Sequence, residues 1–179
     1  DGRLPLRVFE ARYMDMTRDC LKRRRPFGVC LIREGREVGA PAMHLSIGCL
    51  ADIIECDMQQ LGVLHLLTRG GTRFRILETS VNNQGLISAR TKAIAAETDA
   101  AVPEDFSACV KLLKLVIAER GEDVFLAPHR LDSASWVSHR LSEILPLPLP
   151  ARQQMLEMSD PCARLGLVQN YLRQQGIQP

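Results

Sequence analysis

The chain changes its hydrophobic period once, near residue 94, and that change limits the fold more than any single motif. Between residues 27 and 94 apolar residues alternate or come in short bursts bounded by turn residues, whereas beyond residue 102 they recur every three or four positions. Phe27-Gly28-Val29-Cys30-Leu31-Ile32 reads as a strand buried on both faces, residues 47–55 as a long strand, and residues 62–68 and 72–78 as two more. Arg69-Gly70-Gly71 then supplies the tight connection between the last two. Asn82-Asn83-Gln84-Gly85 reads as a hairpin loop joining residues 76–81 to residues 86–94. Many short strands with almost no helix among them predict a closed or partly closed antiparallel barrel over residues 1–98. Helical segments alone after it predict a bundle over residues 99–179, and the whole is an α+β arrangement. Residues 95–102, rich in Ala, Glu, Thr and Asp, read as the linker.

The exception in the strand-rich half is its start. Leu4, Leu6 and Val8 alternate with Pro5, Arg7 and Phe9, and from Phe9 the period becomes helical through Tyr13, Met16 and Cys20. A helix over residues 10–24 follows, with the basic run Lys22-Arg23-Arg24-Arg25 at its negative end and Pro26 as its stop. In the second half, Pro103, Glu104 and Asp105 begin a helix with the stripe Phe106, Val110, Leu113 and Ile117, ending at Gly121. Ser133 or Ser135 caps the next, which carries Trp136, Val137, Leu141 and Ile144 up to Pro146-Leu147-Pro148. A short helix over residues 151–158 precedes a last one capped by Asp160, with Pro161 in its first turn and Gly176 as its stop.

Composition excludes more than it identifies. A net charge of +2 and a pI near 8.3 do not by themselves argue for nucleic acid. No long uncharged apolar run and no basic start followed by an apolar stretch occur, so a cytoplasmic protein without a membrane segment is expected. The numbering opens at Asp1 without methionine, and a preceding piece is expected. Six cysteines lie scattered without a Cys-x-x-Cys pair, which suits reduced core residues. The histidines His44, His65, His129 and His139 occupy separate segments, none at the spacing of a metal pair. Neither Gly-x-Ser-x-Gly nor a phosphate-binding Gly-x-x-x-x-Gly-Lys-Ser/Thr is present. The reading is therefore of a chain that is not an enzyme, with no catalytic residue, cofactor or metal.

Three arginines are the candidates for partner binding. Arg73 and Arg75 alternate with Phe74 and Ile76, so both point to one face of a strand, where they can form a patch beside Arg69. The competing interpretation is an ordinary solvated sheet face. Glu10 and Arg12, around Tyr13, read as an ion pair and cap where the helix meets the barrel. His65, within Val63-Leu64-His65-Leu66-Leu67, reads as a hydrogen-bonded sheet histidine. The carboxylates Glu55 and Asp57, and Asp15 and Asp19, read as solvated faces.

In order along the chain, Gly2-Arg3-Leu4-Pro5-Leu6 through Met16, Ile47-Gly48-Cys49-Leu50-Ala51-Asp52-Ile53-Ile54-Glu55, Gly71-Thr72-Arg73-Phe74-Arg75-Ile76-Leu77, Trp136-Val137-Ser138-His139-Arg140-Leu141 with its Leu145-Pro146 step, and Arg152-Gln153-Gln154-Met155 followed by Asp160 and Arg164-Leu165 resemble the substrate-binding domain at the N-terminus of Lon proteases and of stand-alone Lon-domain proteins. The resemblance implies a PUA-like β-barrel with a helix across it, followed by a helical bundle. The family's additional first strand is absent here, as is any ATPase or protease domain. What it implies for function is a non-catalytic module that binds unfolded or exposed polypeptide segments, in a groove between barrel and helices or along a sheet edge: the recognition half of the Lon machine without its motor or its hydrolase, with a protease system among its expected partners. Two other classes stay open: an RNA-binding PUA-like module, motivated by Arg69, Arg73, Arg75 and residues 22–25, and a small-ligand or hydrolase pocket in the barrel near His65 or Cys49.

Overall fold

In the computed structural model, which describes residues 1–98 and 100–177, the chain forms two compact units, Arg3–Ala96 and Asp1–Gly2 with Glu97–Pro179. Asp99, inside the stretch read as a linker, and Gln178 and Pro179, at the end of the expected bundle, lie outside the described residues.

The first unit is a five-stranded antiparallel sheet with one helix. Strands β1 (Arg3–Val8), β2 (Phe27–Glu34), β3 (Met43–Gln60), β4 (Val63–Val81) and β5 (Ile87–Ala93) are ordered β1-β4-β3-β2, with β5 also on β4. β4 is long enough to hold two neighbours on one side: β1 against Leu64 to Arg69 and β5 against Phe74 to Val81. The hydrogen-bonded path ends at β2 on one side and at β1 and β5 on the other, so the sheet, bent by bulges in β2, β3 and β4, does not close into a ring. The antiparallel sheet and the helices after it make the expected α+β fold.

Two local expectations change. Arg69-Gly70-Gly71 does not turn: it lies inside β4, and neither glycine has a positive φ. Three steps from Gly70 to Arg73 oppose two from Ala51 to Cys49, so the glycines absorb a bulge within one continuous strand. Phe9 is 53% exposed because helix α1 (Ala11–Arg23) begins after it, off the buried stripe. Tyr13, Met14, Met16 and Cys20 of α1 pack instead against Val8, Phe27, Ala51 and Leu66, and this is the helix that crosses the sheet. The opposite face has its own anchor, Phe74, which is paired with Gly48. Its ring leaves no room for side chains there, since a Cβ on Gly28 or Gly48 would sit 2.9 Å from Phe74 Cζ.

The second unit contains α2 (Ser107–Arg120), α3 (Ala134–Ile144), α4 (Leu149–Glu157) and α5 (Pro161–Gln174). Pro103 precedes a short 3-10 turn, Glu104–Phe106, that leads into α2. Ser133 is the cap of α3, its hydroxyl accepting from Trp136 N at 3.3 Å, and Asp160 caps α5 by accepting from the N–H groups of Cys162 and Ala163. Leu113, Val137, Leu141, Leu165, Val168 and Leu172 form the core, with the Trp136 ring edge-on to Phe125 at 5.9 Å. The end of the stretch read as a linker is tied into this unit: Val102 N donates to Asp132 O at 3.0 Å, and Ala134 N to Ala100 O at 2.8 Å.

Candidate functional site

Register decides what the three candidate arginines can do together. Arg73 lies opposite Cys49 and Arg75 opposite Ile47, so these two share a face of β4 as their spacing requires. Arg69 lies opposite Asp52, and Asp52 is three residues from Cys49, so the β4 bulge sends Arg69 to the other face. Burial separates them further: Arg73 is only 8% exposed, Arg69 is half-buried and Arg75 is exposed. Arg69 sits in a cross-strand row with Arg3 on β1 and Asp52 on β3. In the basic run after α1, Asp19 holds both Arg23, at 2.7 Å, and Arg25.

The joint between β1 and α1 is structural. Arg12, nearly buried, meets Glu10 at 3.0 Å, donates to Gly85 O at 2.9 Å and lies over the Tyr13 ring at 4.7 Å. The expected ion pair is present, but the Glu10 side chain makes no cap hydrogen bond; its carboxylate accepts from Gly39 N at 3.4 Å instead. Arg12 thereby ties the helix to the loop of the β4–β5 hairpin, where a Cβ on Gly85 would stand 3.1 Å from its Nη1.

The end of the β3–β4 hairpin is the most exposed apolar feature of the sheet unit. Residues 54–62 are exposed throughout, and Ile54, Met58 and Leu61 are large apolar side chains among them, Leu61 at 94%. Asp52, Glu55 and Asp57 accompany them on β3, and Asp57 lies opposite His65, itself opposite Arg7.

The helical unit contains a polar constellation that sequence reasoning passed over. Arg164, with no exposed surface, donates from Nε to Met155 O (2.9 Å), from Nη1 to Ser138 Oγ (2.9 Å) and Glu97 Oε2 (3.1 Å), and from Nη2 to Met158 O (2.9 Å) and Glu97 Oε1. Every N–H of the guanidinium has an acceptor. Ser135 Oγ donates to Glu97 at 2.7 Å, and His139 Nε2 lies 3.3 Å from Glu97 Oε1. Burial works to raise the Glu97 carboxyl, but the hydrogen bonds from His139, Arg164 and Ser135 outweigh it and hold the group well below the usual carboxylate range. Burial pushes His139 down despite its bond to Glu97, with Arg164 and Arg140 adding to the depression. Glu97 fell in the stretch read as a linker, and its partners stand 38 to 67 positions away. No local signal marks it; the one trace was the presence of Ser138-His139 and Arg164 in the motifs above.

Within the constellation the polar groups engage one another. Ser135 donates to the Glu97 carboxylate, whose basicity is lowered by the same hydrogen bonds, and not to His139. Burial raises the Cys30 and Cys109 thiols, away from the thiolate a nucleophile needs. His129 Nε2 is 3.3 Å from Phe125 O, and His44 Nδ1 is 3.0 Å from Leu45 O. Cys49 and His65, the two residues considered for a pocket, face Arg73 and Asp57 across β3 and β4 and lie far apart along the ladder. Among the described residues no group of three His, Cys, Asp or Glu side chains is placed to hold a metal ion, and no helix is long and apolar enough to cross a membrane.

Comparison with known proteins adds the family. The sequence matches the ATP-dependent protease La (LON) substrate-binding domain over residues 3–174. A Lon N-terminal domain protein from Xanthomonas campestris has a similar structure, with 30% identity and a TM-score of 0.77 over 95% of this chain and 89% of that one. The N-terminal domain of the Lon protease of the Mycobacterium avium complex is similar in fold, with 17% identity and a TM-score of 0.61 over the same shares of the two chains. No curated protein matches. With five ordered motifs, an α+β fold and a match across nearly its whole length, this chain belongs to the Lon substrate-binding domain family.

Proposed function

We propose that the chain is a non-catalytic recognition module that binds unfolded or exposed polypeptide segments and serves a protease system. The observation that carries this reading is the family match over residues 3–174, whose description is substrate binding. Support comes from the sheet unit, which leaves Phe9, Val38, Met43, Ile54, Met58 and Leu61 exposed while its interior is filled by other side chains. Single exposed apolar residues are ordinary; a run of them along one hairpin is a means of holding apolar chain. The engaged state of Arg164, Glu97, Ser135 and His139 supports a structural use of the polar groups that a catalytic reading would need.

RNA binding is the less favoured alternative. Arg69 faces away from Arg73 and Arg75, Asp19 engages half of the basic run, and the exposed hairpin end carries acids. The test is fluorescence-detected binding at micromolar concentration of a reduced, permanently unfolded protein, its native form, and single-stranded RNA. Binding of the unfolded form alone is expected. Absence of any binding to unfolded chain would overturn the proposal, and salt-sensitive retention of RNA lost on Arg73→Glu/Arg75→Glu would replace it.

A further inference from the structure

The strand β3 is longer than its neighbour. β2 accompanies it only from Met43 to Ala51, while β4 follows it as far as Gln60. Along residues 52–60 the side of β3 away from β4 therefore carries no strand among the described residues. One of its amides, Met58 N, is taken by Asp57 Oδ1 at 2.7 Å.

The other free edges of this sheet carry devices that discourage strand addition. β1 contains Pro5, which has no N–H to give, between the cations Arg3 and Arg7. β5 presents Arg90, engaged with Glu78, and Lys92. β2 pairs irregularly beyond Cys30, with register shifts between Cys30 and Ile32 and between Ile32 and Glu34, and ends in the ion pair Arg33–Glu34. The β3 edge has neither proline nor lysine: it carries Asp52, Glu55 and Asp57 among the apolar Ile53, Ile54, Cys56 and Met58. No lysine or arginine occurs in the sequence between Arg36 and Arg69, so β3 itself carries no cation beside these acids; Asp52 faces Arg69 of β4, whereas Glu55 and Asp57 face Leu67 and His65. The nearest facing cations in the ladder, Arg69 and Arg7, are on β4 and on β1 beyond it, away from the open side. Bulges at Ile53/Glu55 and Asp57/Gln60 bend the edge, which keeps any added strand short.

We propose that the β3 edge over residues 52–60 takes up an extended polypeptide segment with alternating apolar and basic side chains, as an added strand. Main-chain hydrogen bonds supply the attachment, Ile54 and Met58 the apolar contact, and Asp52, Glu55 and Asp57 the preference for basic sequence. The inference rests on the polypeptide-binding reading and gives it a surface and a substrate class.

Fluorescence anisotropy tests it with labelled decapeptides on the full chain: one alternating Val and Lys, one alternating Val and Glu, and the Val/Lys peptide N-methylated at alternate residues. The Val/Lys peptide is expected to bind at least about tenfold more tightly than the other two, with the advantage over Val/Glu shrinking as salt rises. The variant Asp52→Lys/Glu55→Lys/Asp57→Lys, altered only at exposed positions, is expected to reverse the preference between the two unmodified peptides. If the N-methylated peptide binds as well as its parent, or the triple variant holds unfolded protein and the Val/Lys peptide unchanged, the edge is not the site, and the broader reading stands on the wild type's binding of unfolded protein. If the wild type binds neither peptide nor unfolded protein, both fall.

Discussion

The two units bury guanidinium groups alike, Arg164 in one and Arg12 and Arg73 in the other, but place their acids differently. The helical unit takes a guanidinium and a carboxylate inside and satisfies both, whereas the sheet unit keeps its acids on an open edge beside exposed apolar side chains. A buried, saturated ion pair is intolerant of change, because losing one partner strands the other without water. An exposed edge tolerates substitution and can accept a partner's main chain. The contrast separates the part of the molecule that specifies structure from the part available for recognition.

The strongest way to break this contrast is Arg164→Ala. It removes the guanidinium from the Glu97 carboxylate, which keeps Ser135 and His139, and from the Ser138 hydroxyl and two carbonyls, and a loss of about 3–5 kcal/mol is expected. Urea denaturation followed by hydrogen exchange should place the loss in the helical unit, with the amides of β3 and β4 far less affected. The pair Arg164→Met/Glu97→Leu should recover much of the loss, since neither charge is then buried alone. Equal loss in both units would show that the network is not local to the bundle.

Acid attacks the same unit without a mutation. The folded state holds Glu97 below its ordinary value of 4.5, so its contribution is complete above that pH and is lost as pH falls below it. His139 is depressed below 6.5, so the unfolded chain takes up its proton first, and stability begins to fall once pH drops through 6.5. Thermal melts from neutral to acid pH should therefore show the helical unit weakening in two stages. His139→Gln, which keeps an N–H for Glu97, should remove the first stage and leave the second.

The sheet unit's sensitive point lies at Gly48, away from the open edge. A methyl there runs into the backbone carbonyl oxygen of Val29 on the paired strand, as well as Cys30 Sγ at 2.5 Å and Phe74 Cζ at 2.9 Å. Gly48→Ala should cost about 1–3 kcal/mol as an overpacking change, visible as a lower urea midpoint for the sheet amides. Asp57→Lys, also on β3 but exposed, should leave that midpoint nearly unchanged.

Much of this architecture is legible in the sequence because it depends on local rules. The period switch gives the two halves, Ser133 and Asp160 act as the caps their chemistry predicts, and Asn82 Oδ1 closes the hairpin loop by accepting from Gln84 N and Leu86 N. What escapes is what depends on register and distance. Gly70-Gly71 looks like a turn because glycine permits one, yet the same freedom accommodates a bulge, and that one-residue slip separates Arg69 from Arg73 and Arg75. Glu97 looks like a solvated linker residue because its partner lies 67 positions away. The open β3 edge is invisible for a similar reason: it is a difference in the lengths of two strands, and the sequence pattern shows the ends of neither.

The smallest expected effect concerns the end of α1, beside the basic run. Arg24 takes up φ 49° and ψ 51°, the left-handed conformation that glycine usually supplies at this position, while Arg25 N reaches back to Cys20 O at 3.0 Å to close the helix. A side chain with a Cβ is strained there by about 1–2 kcal/mol, and glycine gives part of that relief back through the greater freedom of the unfolded chain. Arg24→Gly should therefore stabilise the sheet unit by roughly 0.5–1 kcal/mol, read as a small rise in its urea midpoint. The ion pairs of Asp19 with Arg23 and Arg25 do not involve Arg24, so the gain should persist at high salt. A fall in stability that high salt abolishes would instead assign Arg24 an electrostatic role at the helix end, and would bring the basic run back as a candidate surface for an acidic partner.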